Sequence, residues 1–167
     1  NRGEQLGKGA LHSNSEWLLF LHADSRLDKT WYKKISKVMT SRNTNNYAWF
    51  FDLKISNKNL IFRLVEVIVS IRSHIFKRPY GDQGLLINKE LYLEIGGYKP
   101  FHLMEDLDLI TRITKTTKAK SIGKNIYTDD IKWANTNIIK RAIKNSILRK
   151  KWRQGYEIDN LSEEYYS

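Results

Sequence analysis

Apolar and polar positions fall in blocks along this chain, and each block predicts an element. Trp17, Leu18, Leu19, Phe20 and Leu21 make an apolar run too short for an isolated helix and without the alternation of a half-exposed strand. Residues 17–21 are therefore predicted as a strand buried on both faces of a parallel sheet. Before it, residues 5–12 read as a short helix closed by Ser13, Asn14 and Ser15. After it, Asp28 is placed to cap a helix starting near Lys29, in which Trp31, Ile35, Val38 and Met39 recur at helical spacing. Residues 41–46 are a polar loop, and 47–55, with Trp49, Phe50 and Phe51, are aromatic and predicted as a strand.

Residues 59–76 form the longest helical candidate. Arg63, Glu66, Ser70 and Ser73 mark one polar stripe, while Leu60, Ile61, Leu64, Val65, Val67, Ile68 and their apolar neighbours cover the rest. So wide an apolar surface calls for cover on more than one side, and core packing is favoured over lipid contact. Arg63, Glu66, Arg72 and His74 argue against a membrane span. Pro79 to Gly84 breaks the helix, and a short strand follows at 85–87. Asn88 is placed to cap a helix through Leu93 that stops at Gly96 and Gly97. Residues 99–104 are a loop, and Glu105 and Asp106 open a helix with Leu107, Ile110 and Ile113 on its apolar side. Residues 121–128 are a short strand or a pair of strands around Gly123. From Asn135 an amphipathic helix is expected, with Ile138, Ile139, Ala142, Ile143, Ile147 and Leu148 on one face.

At 167 residues the chain is one domain by length, large enough to bury about 70% of the surface its unfolded form exposes. Cysteine is absent, which excludes a disulfide framework and a thiolate zinc site, and nothing points to secretion. The expected setting is the cytoplasm, with peripheral contact at a membrane. The formal charge of +11 implies an anionic partner: nucleotide phosphates, nucleic acid or an acidic membrane surface. Much of the excess lies late, in Lys132, Lys140, Arg141, Lys144, Arg149, Lys150, Lys151 and Arg153. Basic residues beside an apolar helical face suit an anionic membrane surface.

Three polar nodes each interrupt an apolar element at its end: residues 22–26, residues 81–84, and the pair Glu105 and Asp106. Read alone, Asp24 is either a turn residue at a strand end or a hard oxygen ligand for Mg²⁺ or Mn²⁺. Gly81 and Gly84 allow close backbone approach to a ligand, and a helix N-terminus favours the ionised forms of Glu105 and Asp106. Strand ends and helix starts converge on one rim of an α/β sheet, so the three nodes are expected to share a cleft.

Taken in order, Arg2-Gly3-x-Gln5-x-x-x-Gly9, L-F-L-H-A-D-S at 19–25, P-Y-G-D-Q-G at 79–84, G-G-Y at 96–98 and M-E-D-L-D-L at 104–109 resemble the inverting family-2 glycosyltransferases of GT-A fold. The likeness is greatest to the bacterial subgroup whose metal motif reads H-A-D, and it covers nearly the whole chain. It implies a Rossmann-like α/β domain with a mostly parallel sheet and flanking helices over residues 1–131, followed by a basic amphipathic helical extension over 132–167. It implies transfer of a sugar from a nucleotide-sugar donor to a hydroxyl acceptor that is a glycan, a lipid or a small molecule, with Mn²⁺ or Mg²⁺ as cofactor. Asp24 matches the last Asp of the family's D-x-D motif and takes the metal. Asp106 matches the Asp of its E-D motif and takes the role of general base. Gly81, Asp82, Gln83 and Gly84 match the loop lining the donor-sugar and acceptor side. Arg2 and Gln5 fall in the segment approaching the nucleotide phosphates, and His22 and Glu105 join the substrate-binding set.

The sequence also departs from the family pattern. His22 stands where the general D-x-D motif has its first Asp, and Asp129 with Asp130 follows the last strand where small or polar residues are expected. The base-binding first βαβ unit has no counterpart, so an N-terminally truncated GT-A domain is expected, and with it low donor affinity. Two other readings stand beside the enzyme. One is a non-catalytic remnant. The other is a nucleic-acid-binding module built on the basic segment with Trp133, Trp152 and Tyr156, although no RNA-binding or helix-turn-helix signature accompanies it and nucleic acid is not an expected partner.

Overall fold

The computed structural model describes residues 1–129 and 138–166. Five strands, β1 (Trp17–Phe20), β2 (Arg26–Leu27), β3 (Ala48–Ile55), β4 (Leu85–Asn88) and β5 (Ala119–Thr128), join in the order β1-β4-β3-β5-β2. Neighbouring residues of the central strands point to opposite faces. Phe50, Leu85 and Ile87 enter one apolar cluster, and Phe51, Leu53 and Leu86 enter the other. The first cluster is closed by α1 (Arg2–His12), α4 (Lys89–Glu94), α5 (Glu105–Thr116), α6 (Ile138–Arg153) and α7 (Ile158–Tyr166). The second is closed by α2 (Trp31–Thr40) and α3 (Leu60–His74). The chain is thus α/β, with helices on both faces of one sheet.

The sheet is mixed, which corrects the expectation of a mostly parallel one. Among the described residues only β3 and β5 pair in parallel, while β1 with β4, β4 with β3, and β5 with β2 pair antiparallel. A continuous apolar run reports that helices cover both faces, and it carries no information on the direction of the neighbouring strand. β1 accordingly pairs antiparallel with β4, Trp17 opposite Asn88 and Phe20 opposite Leu85, and lies at an edge of the described sheet. Around Gly123 there is one strand with a bulge: from Phe50 to Asp52 the partner positions move from Ser121 to Asn125.

Three local differences have plain causes. α1 begins at Arg2, because the Asn1 side chain accepts from the Glu4 N–H at 2.8 Å and caps it. Asp28 does not cap a helix at Lys29. Its Oδ1 accepts from the Thr30 N–H at 2.8 Å, a turn inserted between β2 and α2. In α3 Glu66 and Ser73 of the polar stripe face the protein, while Ser70 is exposed. Glu66 is buried, accepting from the Ile55 N–H at 2.7 Å, from Arg63 at 2.8 Å and from Lys54 at 3.1 Å. The broad apolar side turns outward, with Leu60 84%, Leu64 59%, Ile68 57% and Ile75 67% exposed, so core packing of that face is not what forms.

The basic C-terminal segment is helical over α6 and α7, and it adds Leu148 and Leu161, both fully buried, to the same cluster as Phe50 and Ile87. Trp152 and Tyr165 pack against that cluster. The boundary proposed at 131/132, Lys132 and Trp133, and Asp130 lie outside the described residues.

Candidate active site

The site begins with a glycine in the first turn of α1. A Cβ on Gly3 would stand 2.1 Å from the carbonyl oxygen of Lys99, so only glycine lets α1 lie this close to the loop before α5. That approach places Arg2 over the start of α5. Its Nε lies 3.2 Å from Oε1 of Glu105, and its Nη2 meets Nε2 of His22. A guanidinium can only donate, so Nε2 of His22 accepts and the neutral ring carries its proton on Nδ1. Nδ1 faces Oδ1 of Asp24 at 4.0 Å. One arginine thereby ties together the loop after β1 and the N-terminus of α5.

The 79–84 loop supplies the opposite wall. The Gly81 N–H donates to Oδ2 of Asp106 at 2.7 Å, and the Leu107 N–H donates to Oδ1 of the same carboxylate at 2.7 Å. A Cβ at position 81 would come within 2.7 Å of His22 Nε2 and 3.1 Å of Asp106 Oδ2, so a side chain there would push the two apart. Gly84 has φ +62, and a Cβ on it would meet Leu21 Cδ2 at 2.9 Å.

Asp24, His22, Asp82 and Asp106 line one cleft of about 270 Å³, closed on its far side by Arg141 and Asn145 of α6 and Tyr165 of α7. Asp82 places Oδ1 in a buried position without a hydrogen-bond partner among the described residues, 3.6 Å from Nη2 of Arg72. The C-terminal residues of this lining were missed by sequence reasoning, which took the lysines and arginines there as suited to an anionic membrane surface. Tyr80 stands inside the quoted 79–84 motif but was not singled out, because only residues 81–84 were read as the loop. Arg72 stacks on its ring at 3.8 Å, and Arg149 stands 5.4 Å from it. Burial, and then the neighbouring charges of Arg72 and Arg153, hold Arg149 below the usual guanidinium range.

Not every residue of the expected binding set reaches the cleft. Gln83 is fully buried behind it, where its Oε1 accepts from Ser73 at 2.6 Å and Arg72 at 2.9 Å and its Nε2 donates to the Phe51 carbonyl at 3.1 Å. Its role is to anchor the loop. Gly84 shapes the same loop from the buried side, and Gln5 lies in a separate groove between α1 and β1. Glu105 is buried against Arg2 while Asp106 faces the cleft, so the two acids do different work. Burial, together with the charge of Asp106, raises the Glu105 carboxyl above the ordinary range, against the pull of Arg2. Burial likewise raises the Tyr98 hydroxyl, with Asp106 and Glu105 adding to it. Asp129 pairs with Arg26, which also donates to Ser56 at 3.0 Å, and so fastens β2 at the end of the sheet.

Among the described residues no group of three or more His, Asp or Glu is arranged to hold a metal by itself. The donors still fit Mg²⁺ or Mn²⁺. Such an ion is held by one or two carboxylates and completes its shell with water and substrate phosphate, and Asp24 and Asp82 offer hard oxygens to one cleft. No protein-family model matches the chain, and none of the curated proteins shows significant similarity to it.

Proposed function

We propose that the chain is a metal-dependent inverting glycosyltransferase of the family-2, GT-A type, moving a sugar from a nucleotide-sugar donor to a hydroxyl acceptor. The observation that carries this reading is that Asp24 and Asp106, the metal ligand and general base of the resembled motifs, line one cleft, with Gly81 packed against His22 and donating its N–H to Asp106.

Asp106 is suited to accept a proton. Each of its oxygens takes one backbone N–H and keeps a second lone pair, so the carboxylate is held in orientation without being used up. The acceptor hydroxyl oxygen forms a bond to the anomeric carbon as the bond from that carbon to the diphosphate oxygen breaks, and the hydroxyl proton passes to Asp106. Asp24 would hold the divalent ion, which when bound offsets the charge of the departing diphosphate. Arg141 on the far wall brings a fixed cation to the same cleft. Arg2 acts at one remove, holding His22 and Glu105 so that both acidic walls keep their positions.

The test is a screen of nucleotide sugars for thermal stabilisation of the protein with and without Mn²⁺. Metal-dependent stabilisation by a nucleotide sugar supports the reading. Stabilisation by oligonucleotides that fades steeply with salt would replace it with a nucleic-acid-binding module.

A further inference from the structure

α3 is amphipathic in the inverse sense. Phe62, Glu66, Val69 and Ser73 face the protein, and the outer side carries Leu60, Leu64, Val67, Ile68 and Ile71, continuing through Ile75 and Phe76, all exposed. Within α3 the five outer positions fall mostly three or four residues apart and occupy roughly 100° of the helix circumference. Isolated exposed apolar residues are ordinary, but a stripe of five along one helix, extended by Ile75 and Phe76 just beyond its end, marks a surface that is covered in use.

The charges around the stripe identify the cover. Lys58 precedes it, and Lys77 and Arg78 follow it, all exposed. The one acid between residues 58 and 78, Glu66, is buried and occupied by Lys54 and Arg63. A second copy of the chain fits poorly, since either orientation of two paired α3 helices brings lysine or arginine ends together with no exposed acid to offset them. At 15 residues α3 is about 22 Å long, and no described helix is long and apolar enough to cross a membrane. An apolar face flanked by cations, on a helix that does not span, is the form that lies in the plane of an anionic bilayer.

We infer that α3 docks the protein onto an anionic lipid surface, with Leu64, Ile68, Ile71 and Ile75 entering the acyl boundary and Lys58, Lys77 and Arg78 meeting the headgroups. The inference stands on α3 and does not depend on the transferase reading. It has a geometric consequence for the cleft. Tyr80, on the cleft wall, is four residues beyond Phe76, so the wall lies within about 14 Å of the lipid boundary.

The experiment is co-sedimentation with vesicles containing phosphatidylglycerol, against vesicles of phosphatidylcholine alone. Three proteins are compared: the wild type, Leu64→Gln/Ile68→Gln, and Lys77→Glu/Arg78→Glu. Glutamine is a good helix former and both replaced side chains are exposed, so melting should be unchanged or raised. The wild type should bind the anionic vesicles, and the Leu64→Gln/Ile68→Gln protein should bind them about tenfold or more weakly. The Lys77→Glu/Arg78→Glu protein should lose binding through charge alone, which keeps the test decisive should the double glutamine protein fail to fold. Absence of wild-type binding, or equal binding by wild type and both variants, overturns the inference. So does a wild-type dimer in sedimentation velocity that the glutamine substitutions make monomeric.

Discussion

The Gly81 backbone N–H donates to Oδ2 of Asp106 at 2.7 Å, and the hydrogen on Gly81 Cα occupies the space where a side chain would strike His22. The 79–84 loop and the N-terminus of α5 meet without an intervening side chain, and the orientation of the cleft-facing carboxylate depends on that contact. Gly81→Ala should therefore displace His22 from Arg2 and turn Asp106. We expect a stability loss of about 1–3 kcal/mol, the usual cost of overpacking, in chemical denaturation. Turnover should fall by more than that loss accounts for at temperatures where the variant remains folded.

Asp106→Asn keeps the shape of the side chain and removes its capacity to take a proton. One amide oxygen replaces two acceptors, so either the Gly81 or the Leu107 N–H must face an NH2 group. Nucleotide-sugar affinity should be nearly unchanged in calorimetry while turnover drops by about 10²–10⁴-fold, the range for loss of a general base. Equal losses in affinity and turnover would place Asp106 in the donor site instead.

Glu105 makes a pH-dependent contribution whose sign follows from burial. Its carboxyl is raised from the ordinary value of 4.5, so the folded state holds the proton more tightly than the unfolded chain does. Stability from this group is present at pH below 4.5 and is lost as pH rises through the raised value. In Glu105→Gln that loss is absent. The stability difference between wild type and variant, measured by denaturant unfolding across this range, should shift in favour of the variant as pH rises. A difference constant with pH would show that Arg2 fully offsets the burial.

Much of this was legible in the sequence, and the part that was not has a physical cause. The apolar runs at Trp17 and Leu85 mark strands because helices cover both sheet faces, yet strand direction is set by the long excursion through α3 and cannot be read from either run. The spacing in α3 predicted the helix. It could not say which side faces the sheet, and the inward side is the one on which Glu66 finds three donors, in Ile55, Arg63 and Lys54. Asp24, His22 and Asp106 were singled out as polar residues at element ends, and they line one cleft. Gln83 shows the opposite case. A polar residue inside a motif looks ligand-facing in sequence, although its amide here satisfies Ser73, Arg72 and the Phe51 carbonyl. The contribution of Arg141, Asn145 and Tyr165 was hidden because it depends on α6 and α7 folding back over the site.

Asp24→Asn isolates charge from structure. The residue sits in a turn in which the Ser25 N–H donates to the His22 carbonyl at 3.0 Å, so the backbone holds its form without the carboxylate, and the side chain is partly exposed in the cleft. The melting temperature of the protein alone should change little. In the wild type, nucleotide sugar with Mn²⁺ should raise the melting temperature and a chelator should abolish that rise. In Asp24→Asn the rise should be small with or without the chelator, since an amide oxygen is a much weaker ligand for a hard cation than a carboxylate. Asp82→Asn separates the two carboxylates that face the same cleft. If Asp82 shares the ion, its replacement should weaken the Mn²⁺ response partially while Asp24→Asn removes it. If the Mn²⁺ response survives in Asp24→Asn and disappears in Asp82→Asn, then the metal is held by the loop after α3, and the role assigned to the strand-end aspartate belongs to its neighbour across the cleft.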